Sequence, residues 1–382
     1  MAQTFESLNL DPALIEGLGK QGITVPTPIQ ELAIPAALAK EDVVAEAHTG
    51  SGKTLAFLLP LFQNLEDIRQ MQALILAPTH ELVIQISDQA RLLAKNSNRG
   101  LTALPLIGGT NIDKQIKKLR DKPQIVVGTP GRVLELIKKR KISAHTLNTI
   151  VLDEADSLLD NTNAQTIKDI IKSTLRDRKL WLFSASISDN TMELAKSLMK
   201  EPAIFKNEAK SEMNPNISHY YLKGDRRDKF DLLRKLIAAE APDRALIFVN
   251  QNDSMQEIAE KLEFHKQSLY VMRGNIKKEE RKSALEAFRK GTVKLLVSSD
   301  LTARGLDVPE ISHIIHLDLP ASPQEYLHRS GRTARGTASG KSISIITAKD
   351  LDTLKKFQKK FGIEIREARL SHGEMTEAAS RP

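Results

Sequence analysis

Along the chain, short apolar or β-branched runs alternate with longer segments whose apolar residues recur at helical spacing. In the first half the runs are DVVAEA (42–47), ALILAP (73–78), QIVVGTP (124–130), TIVLDE (149–154) and LWLFSAS (180–186). Each precedes an amphipathic stretch, and that alternation predicts parallel strands joined by crossover helices and buried on both faces. After the polar stretch EPAIFKNEAKSEMNPN the alternation restarts with HYYLKG, RALIFVN, SLYVMRG, VKLLVSS, HIIHLDLP and KSISIITA. The prediction is an α/β chain with domains at residues 1–206 and 217–365, a linker at 207–216 and a short tail at 366–382. A length of 382 residues agrees, because two domains of roughly 150 to 200 residues bury two ordinary cores better than one oversized core.

Composition narrows the class. With 41% hydrophobic and 27% charged residues the chain is globular. It has no cysteine, which excludes disulfides, thiolate zinc sites and cysteine nucleophiles and fits a reducing compartment. The start, MAQTFESLNL, lacks a basic and an apolar signal region, and the most apolar stretch, TLAFLLPLF, is broken by Pro60. Neither secretion nor membrane insertion is expected, and a cytoplasmic location is. A net charge of +8 points to a polyanionic partner. Its basic clusters, DKQIKKLRDK (113–122) and LIKKRK (136–141), read first as solvated helix faces and only second as nucleic-acid contacts.

Ligands of open parallel sheets bind beyond the carboxyl ends of the strands. Those ends carry the distinctive segments HTGSGKT, PTHE, TPGR, DEAD, SAS and SSDLTARGLD. The first, AHTGSGKT (47–54), lies between a strand and a helix pattern. Small residues at Thr49, Gly50, Ser51 and Gly52 let backbone N–H groups wrap phosphates. Lys53 then reaches the terminal phosphates, and Thr54 supplies a hydroxyl to Mg2+. A nucleoside triphosphate with magnesium follows. In such enzymes an aspartate ending a second strand holds the metal, a role TIVLD offers to Asp153. Glu154 would then orient or deprotonate the attacking water. Asp156 could contact another motif or cap the helix.

With these motifs in this order, residues 1 to about 350 resemble the DEAD-box family of ATP-dependent RNA helicases, of superfamily 2. The resemblance implies two tandem RecA-like domains, each a mostly parallel sheet with helices on both faces. It also implies ATP and Mg2+ as cofactors, and RNA-stimulated hydrolysis coupled to local, sequence-independent unwinding or remodelling of RNA.

The family pattern then assigns further residues. GITVPTPIQ resembles the adenine-sensing motif, with Gln30 on the base edge, Phe5 as the upstream aromatic, and Ile23 where an aromatic is usual. Pro78, Thr79 and His80, then Gly108 and Gly109, then Thr129, Pro130, Gly131 and Arg132 match first-domain RNA motifs, whose hydroxyls, N–H groups and arginine suit phosphates and sugars. His80 replaces the usual arginine, which should weaken phosphate attraction or make it sensitive to pH.

In the second domain Arg273, Gly274, Arg281 and Ser299 match RNA-gripping positions, and Asp307 would reach the ribose. Arg273 and Lys278 depart from the family there. Arg332 and Arg335 match the arginine fingers, the kind of group worth roughly 10³ to 10⁵ in rate in comparable enzymes. Ala334 replaces a common glycine, a mild change on an ordinary backbone. Ser184 and Ser186 would link Asp156 to His328, tying nucleotide state to the closed form.

The implied partner is RNA, single-stranded or as a short duplex, with protein partners supplying the target. A monomer is expected. Three alternatives stay open: an ATP-gated RNA clamp, a scaffold subunit without strand displacement, and a DNA-acting ATPase of superfamily 2.

Overall fold

The structure is a computed structural model, which describes residues 4–47, 50–160, 163–206, 213–250, 252–265, 267–272, 278–299, 311–334 and 338–378. The chain divides into two compact units, Met1–Glu208 and Ala209–Pro382.

In the first unit the strands are β1 (Val43–Glu46), β2 (Ala73–Leu76), β3 (Ala103–Leu106), β4 (Ile125–Gly128), β5 (Thr149–Asp153), β6 (Lys179–Ser184) and β7 (Ala203–Lys206). They form one sheet in the order β3-β4-β2-β5-β6-β1-β7, and each of these pairings is parallel. Alternate residues enter different cores. Val43 and Ala45 pack with Phe57, Trp181 and Phe183 on one face, while Val44 packs with Leu74, Val126 and Leu182 on the other. Double-sided burial explains why the strands read as continuous apolar runs rather than alternating ones. Phe57 and Phe183 meet edge to face, 5.3 Å between centroids; truncating such a buried ring costs about 3–5 kcal/mol.

Two of these strands were not legible as runs. β3 contains Pro105, tolerated because an edge strand leaves one side of its backbone unpaired. β7 lies within the polar stretch after residue 200. It is fastened by Asp42, whose carboxylate accepts the N–H groups of Leu180 and Lys200, both at 2.8 Å.

The second unit holds β8 (Ile217–Lys223), β9 (Ala245–Phe248), β10 (Leu269–Met272), β11 (Leu295–Ser298), β12 (His313–His316), β13 (Gly340–Ile346), β14 (Ile365–Ser371) and β15 (Glu374–Glu377). Their order is β10-β11-β9-β12-β13-β8-β14-β15. Again the residues alternate, with Ala245 and Ile247 facing one core and Leu246 and Phe248 another. Of the stretch expected to be a tail, residues 366–371 and 374–377 form strands. β14 pairs parallel with β8, β15 returns antiparallel to β14, and Leu370 and Met375 pack onto the core beside Leu233 and Leu236. Of the expected linker, 207–216, residues 207–212 lie outside the described residues; Met213, within it, is buried in the second unit.

Candidate functional site

Sheet order sorts the motifs of the first unit into two groups. β5, β6 and β1 are neighbours, so the DEAD run, the SAS segment and the phosphate loop leave adjacent strand ends. β3, β4 and β2 are neighbours too, and they bring together GG, TPGR and PTHE.

In the first group, the helix Lys53–Asn64 starts directly from Gly52, at φ 88°. Gly50 is also left-handed, at φ 86°. A Cβ on Gly52 would lie 2.5 Å from Gln30 Nε2, so this glycine is required by conformation and by space alike. Gln30, 2% exposed, accepts the Thr27 N–H through Oε1 and donates from Nε2 to the Gly52 carbonyl, both at 3.0 Å. An amide has two donor hydrogens and two acceptor lone pairs, so one of each remains for a ligand. Lys53 Nζ donates to the Ala47 carbonyl at 2.5 Å, across the base of the loop. Ser51 Oγ is buried with no partner among the described residues. Thr54 is half-buried in the first helical turn. Thr49 lies outside the described residues.

Asp153 ends β5, 4% exposed. Burial first, and then the Glu154 carboxylate beside it, push its carboxyl up to about 7, against the pull of Lys53. A buried carboxylate with so little compensation is a site suited to a cation. Its Oδ1 accepts the Glu154 N–H at 3.1 Å. Glu154 is left-handed, φ 53° and ψ 53°, backbone strain of the kind that collects at functional sites. Ser184 ends β6 and donates to Asp156 Oδ1 at 2.7 Å, and Ser186 follows in the adjoining loop. Phe5 is 1% exposed within the core, and Ile23 packs against the same cluster.

In the second group, Thr79 caps the helix His80–Asn96 by accepting the Leu82 N–H at 3.3 Å. Pro78 precedes it, and His80 is exposed. A Cβ on Gly108 would lie 3.5 Å from His80 Nε2, so these two motifs touch. Gly109 is left-handed, at φ 66°. Thr129 precedes the helix Pro130–Lys138, which contains Gly131 and Arg132. The Arg132 side chain, 9% exposed, pairs with Glu135 and donates to the Thr110 carbonyl, so it braces the glycine loop.

The comparisons agree. The DEAD/DEAH box helicase family matches residues 27–194, and the helicase conserved C-terminal domain matches residues 228–337. YfmL of Bacillus subtilis strain 168, named a probable ATP-dependent RNA helicase, is 41% identical over 98% of this chain and 99% of its own. The chain belongs to the DEAD-box helicase family. CshC of Bacillus cereus, a DEAD-box ATP-dependent RNA helicase, is 36% identical over 97% of this chain and 94% of its own. Among solved structures, S. cerevisiae Dbp5 bound to RNA and ADP BeF3 gives a TM-score of 0.88 at 29% identity, covering 96% of this chain and 95% of that one. Mss116p bound to ssRNA and AMP-PNP gives 0.84 at 26% identity, covering 97% and 80%.

Against the DEAD-box pattern, the second unit carries His328 and Arg332 at the end of the helix Pro323–Ser330 and just beyond it, with Arg332 7% exposed. Ser299 follows β11, and Arg281 lies on the helix Lys278–Arg289. Arg273, Gly274, Asp307 and Arg335 fall outside the described residues. Ala334 requires a correction. Its φ is 54°, so alanine stands where the backbone itself asks for glycine.

Two residues escaped the sequence reading. Arg329 donates to the Asp318 carbonyl at 2.7 Å and to Asn250 Oδ1 at 2.8 Å, and its guanidinium lies 4.8 Å from the Phe248 ring centroid, anchoring the basic segment. Glu46, half-buried and level with Ser184, has its carboxyl raised by burial despite Lys206. An acidic residue ending a buried strand just before a phosphate loop was the available signal.

Proposed function

We propose that the chain hydrolyses ATP in response to RNA and uses the cycle to open short RNA duplexes or remodel RNA–protein complexes. What carries this reading is the sheet order, which groups phosphate-binding and carboxylate motifs at one set of strand ends and hydroxyl- and glycine-bearing motifs at the adjoining set. The family relationship and the RNA-bound relatives support the same substrate pair.

Gln30 would read the adenine edge with its remaining donor and acceptor while holding the loop. Lys53 would exchange the Ala47 carbonyl for phosphate oxygens, and Ser51, now without a partner, would gain one. The residues fit a divalent cation as well, since Asp153 is a buried carboxylate that lacks adequate positive charge. Thr54 and Asp153 would hold Mg2+, which when bound neutralises phosphate charge. Glu154 would orient the attacking water, and Arg332 and Arg335 would stabilise the charge that builds on the transferred group. Because those arginines belong to the second unit, turnover would wait on RNA engaging both units. RNA contact would be made through backbone phosphates and sugars, giving little sequence preference. Target choice would then fall to protein partners.

The test is steady-state ATP turnover with and without RNA, for the native chain and Glu154→Gln. RNA stimulation that disappears in Glu154→Gln is expected. Turnover indifferent to RNA, or a Glu154→Gln chain as fast as the native one, refutes the reading.

A further inference from the structure

Asn214 joins the end of the segment that links the two units to the end of the arginine-bearing segment. Its Nδ2 donates to the Ala334 carbonyl at 2.6 Å. Its Oδ1 accepts the Asn216 N–H at 3.0 Å, its own carbonyl accepts the Ile217 N–H at 3.0 Å, and the Asn216 carbonyl accepts the Gly340 N–H at 3.0 Å. Both ends of the amide are therefore committed, and the donor is aimed before any substrate arrives.

The acceptor sits in an unusual place. Ala334 holds φ 54° with no polar side chain to favour that conformation. Such a residue persists only where its surroundings over-determine it. Two surroundings do so here. The methyl is buried, 2% exposed, in a cluster with Met213, Tyr326 and Phe357, and the carbonyl is held by Asn214. Just upstream, the Arg332 and Thr333 N–H groups close the helix end on the carbonyls of Arg329 and Ser330, at 3.1 and 3.2 Å. The chain from Arg332 to Ala334 is thus fixed at one end by a helix and at the other by Asn214.

We infer that Asn214 is a positioning residue for the Arg332–Ala334 segment, and through it for Arg332, which serves ATP hydrolysis. This rests on the function proposed above. Arg332 lies two residues before Ala334, so a donor that holds the Ala334 carbonyl closes the far end of the short segment that carries its guanidinium. Asn214 belongs to the second unit, apart from the phosphate loop and Gln30 of the first in the chain's division, so its loss should alter the rate of the chemical step and spare ATP binding.

The experiment measures RNA-saturated ATP turnover of the full chain for Asn214→Asp, Ala334→Gly, the double variant and Arg332→Ala. A carboxylate keeps the acceptor for Asn216 but cannot donate to Ala334. Asn214→Asp should lower kcat about tenfold and change the KM for ATP by less than about twofold. With glycine at 334, which adopts positive φ unaided, the same substitution should cost less than about threefold. A kcat for Asn214→Asp within about twofold of native overturns the inference, as does an equal loss in both backgrounds. If Asn214→Asp does not fold, Asn214→Ser withdraws the donor more gently, and the same outcomes decide. Arg332→Ala separates the two levels: full turnover in that variant refutes the arginine role itself, whatever Asn214→Asp does.

Discussion

Ser184 Oγ donates to Asp156 Oδ1 at 2.7 Å, and Ser184 is fully buried, so the end of β6 is tied to the first turn after β5. The pair joins two motifs 28 residues apart in the sequence. Ser184→Ala deprives the carboxylate of a donor, at a cost of about 1–2 kcal/mol. If the pair transmits nucleotide state, RNA-stimulated turnover should stay within about threefold of native while duplex displacement falls about tenfold. A proportional fall in both activities would reduce the pair to a structural brace.

Gln30 bridges Thr27 and Gly52, two segments that come together only in the fold. Gln30→Ala leaves the Gly52 carbonyl and the Thr27 N–H without their partner and removes the proposed adenine contact. The KM for ATP should rise at least about tenfold, and preference over GTP should narrow. A KM within about twofold of native would leave Gln30 as a helix cap alone.

How much of this was legible before the fold was known depends on the range of the interaction. β1, β5 and β6 announced themselves because strands buried on both faces must be apolar throughout. The motifs followed them in register. β3 and the β14–β15 hairpin did not, since Pro105 and the charged IREARLS pattern look like loop. The sheet order, which groups the motifs, is a tertiary fact. So is the left-handed backbone of Ala334: the sequence showed an exchange of one small residue for another, and only the dihedral shows its cost.

Two of the second unit's buried histidines, His219 and His316, should weaken its stability in acid. Burial lowers the His219 pKa to about 4. Burial first, then Arg329 and His219, hold His316 well below the ordinary imidazole value. In the unfolded chain both would titrate near about 6.5. Since the folded values are depressed, the stability they contribute is fully present above about 6.5 and is lost as pH falls from there toward about 4. The loss approaches about 1.4 kcal/mol per pH unit for each histidine near the middle of that window. The chain reports on its units separately, because its one tryptophan, Trp181, lies in the first and its four tyrosines lie in the second. Stability in urea, followed by near-UV tyrosine signals, should fall across this range, and that of His219→Gln, which keeps a hydrogen-bonding group for Tyr326, should fall less. Identical pH slopes for native and variant would exclude His219 as a source.

His80 is exposed at the start of its helix, with its ring beside Gly108, and both positions are proposed for RNA contact. An imidazole is charged only on the acidic side of neutrality, whereas a guanidinium is charged throughout and binds phosphate bidentately. His80→Arg should therefore tighten RNA binding in the presence of ATP by about three- to tenfold at moderate salt. It should also steepen the salt dependence by nearly one counterion. The native chain should bind RNA more tightly at about pH 6 than at about pH 8, and the arginine variant should lose that dependence. Fluorescence anisotropy with a labelled single strand decides both points. A native dissociation constant that does not change over this pH range would remove His80 from the RNA contact, leaving it as a surface residue beside the glycine loop.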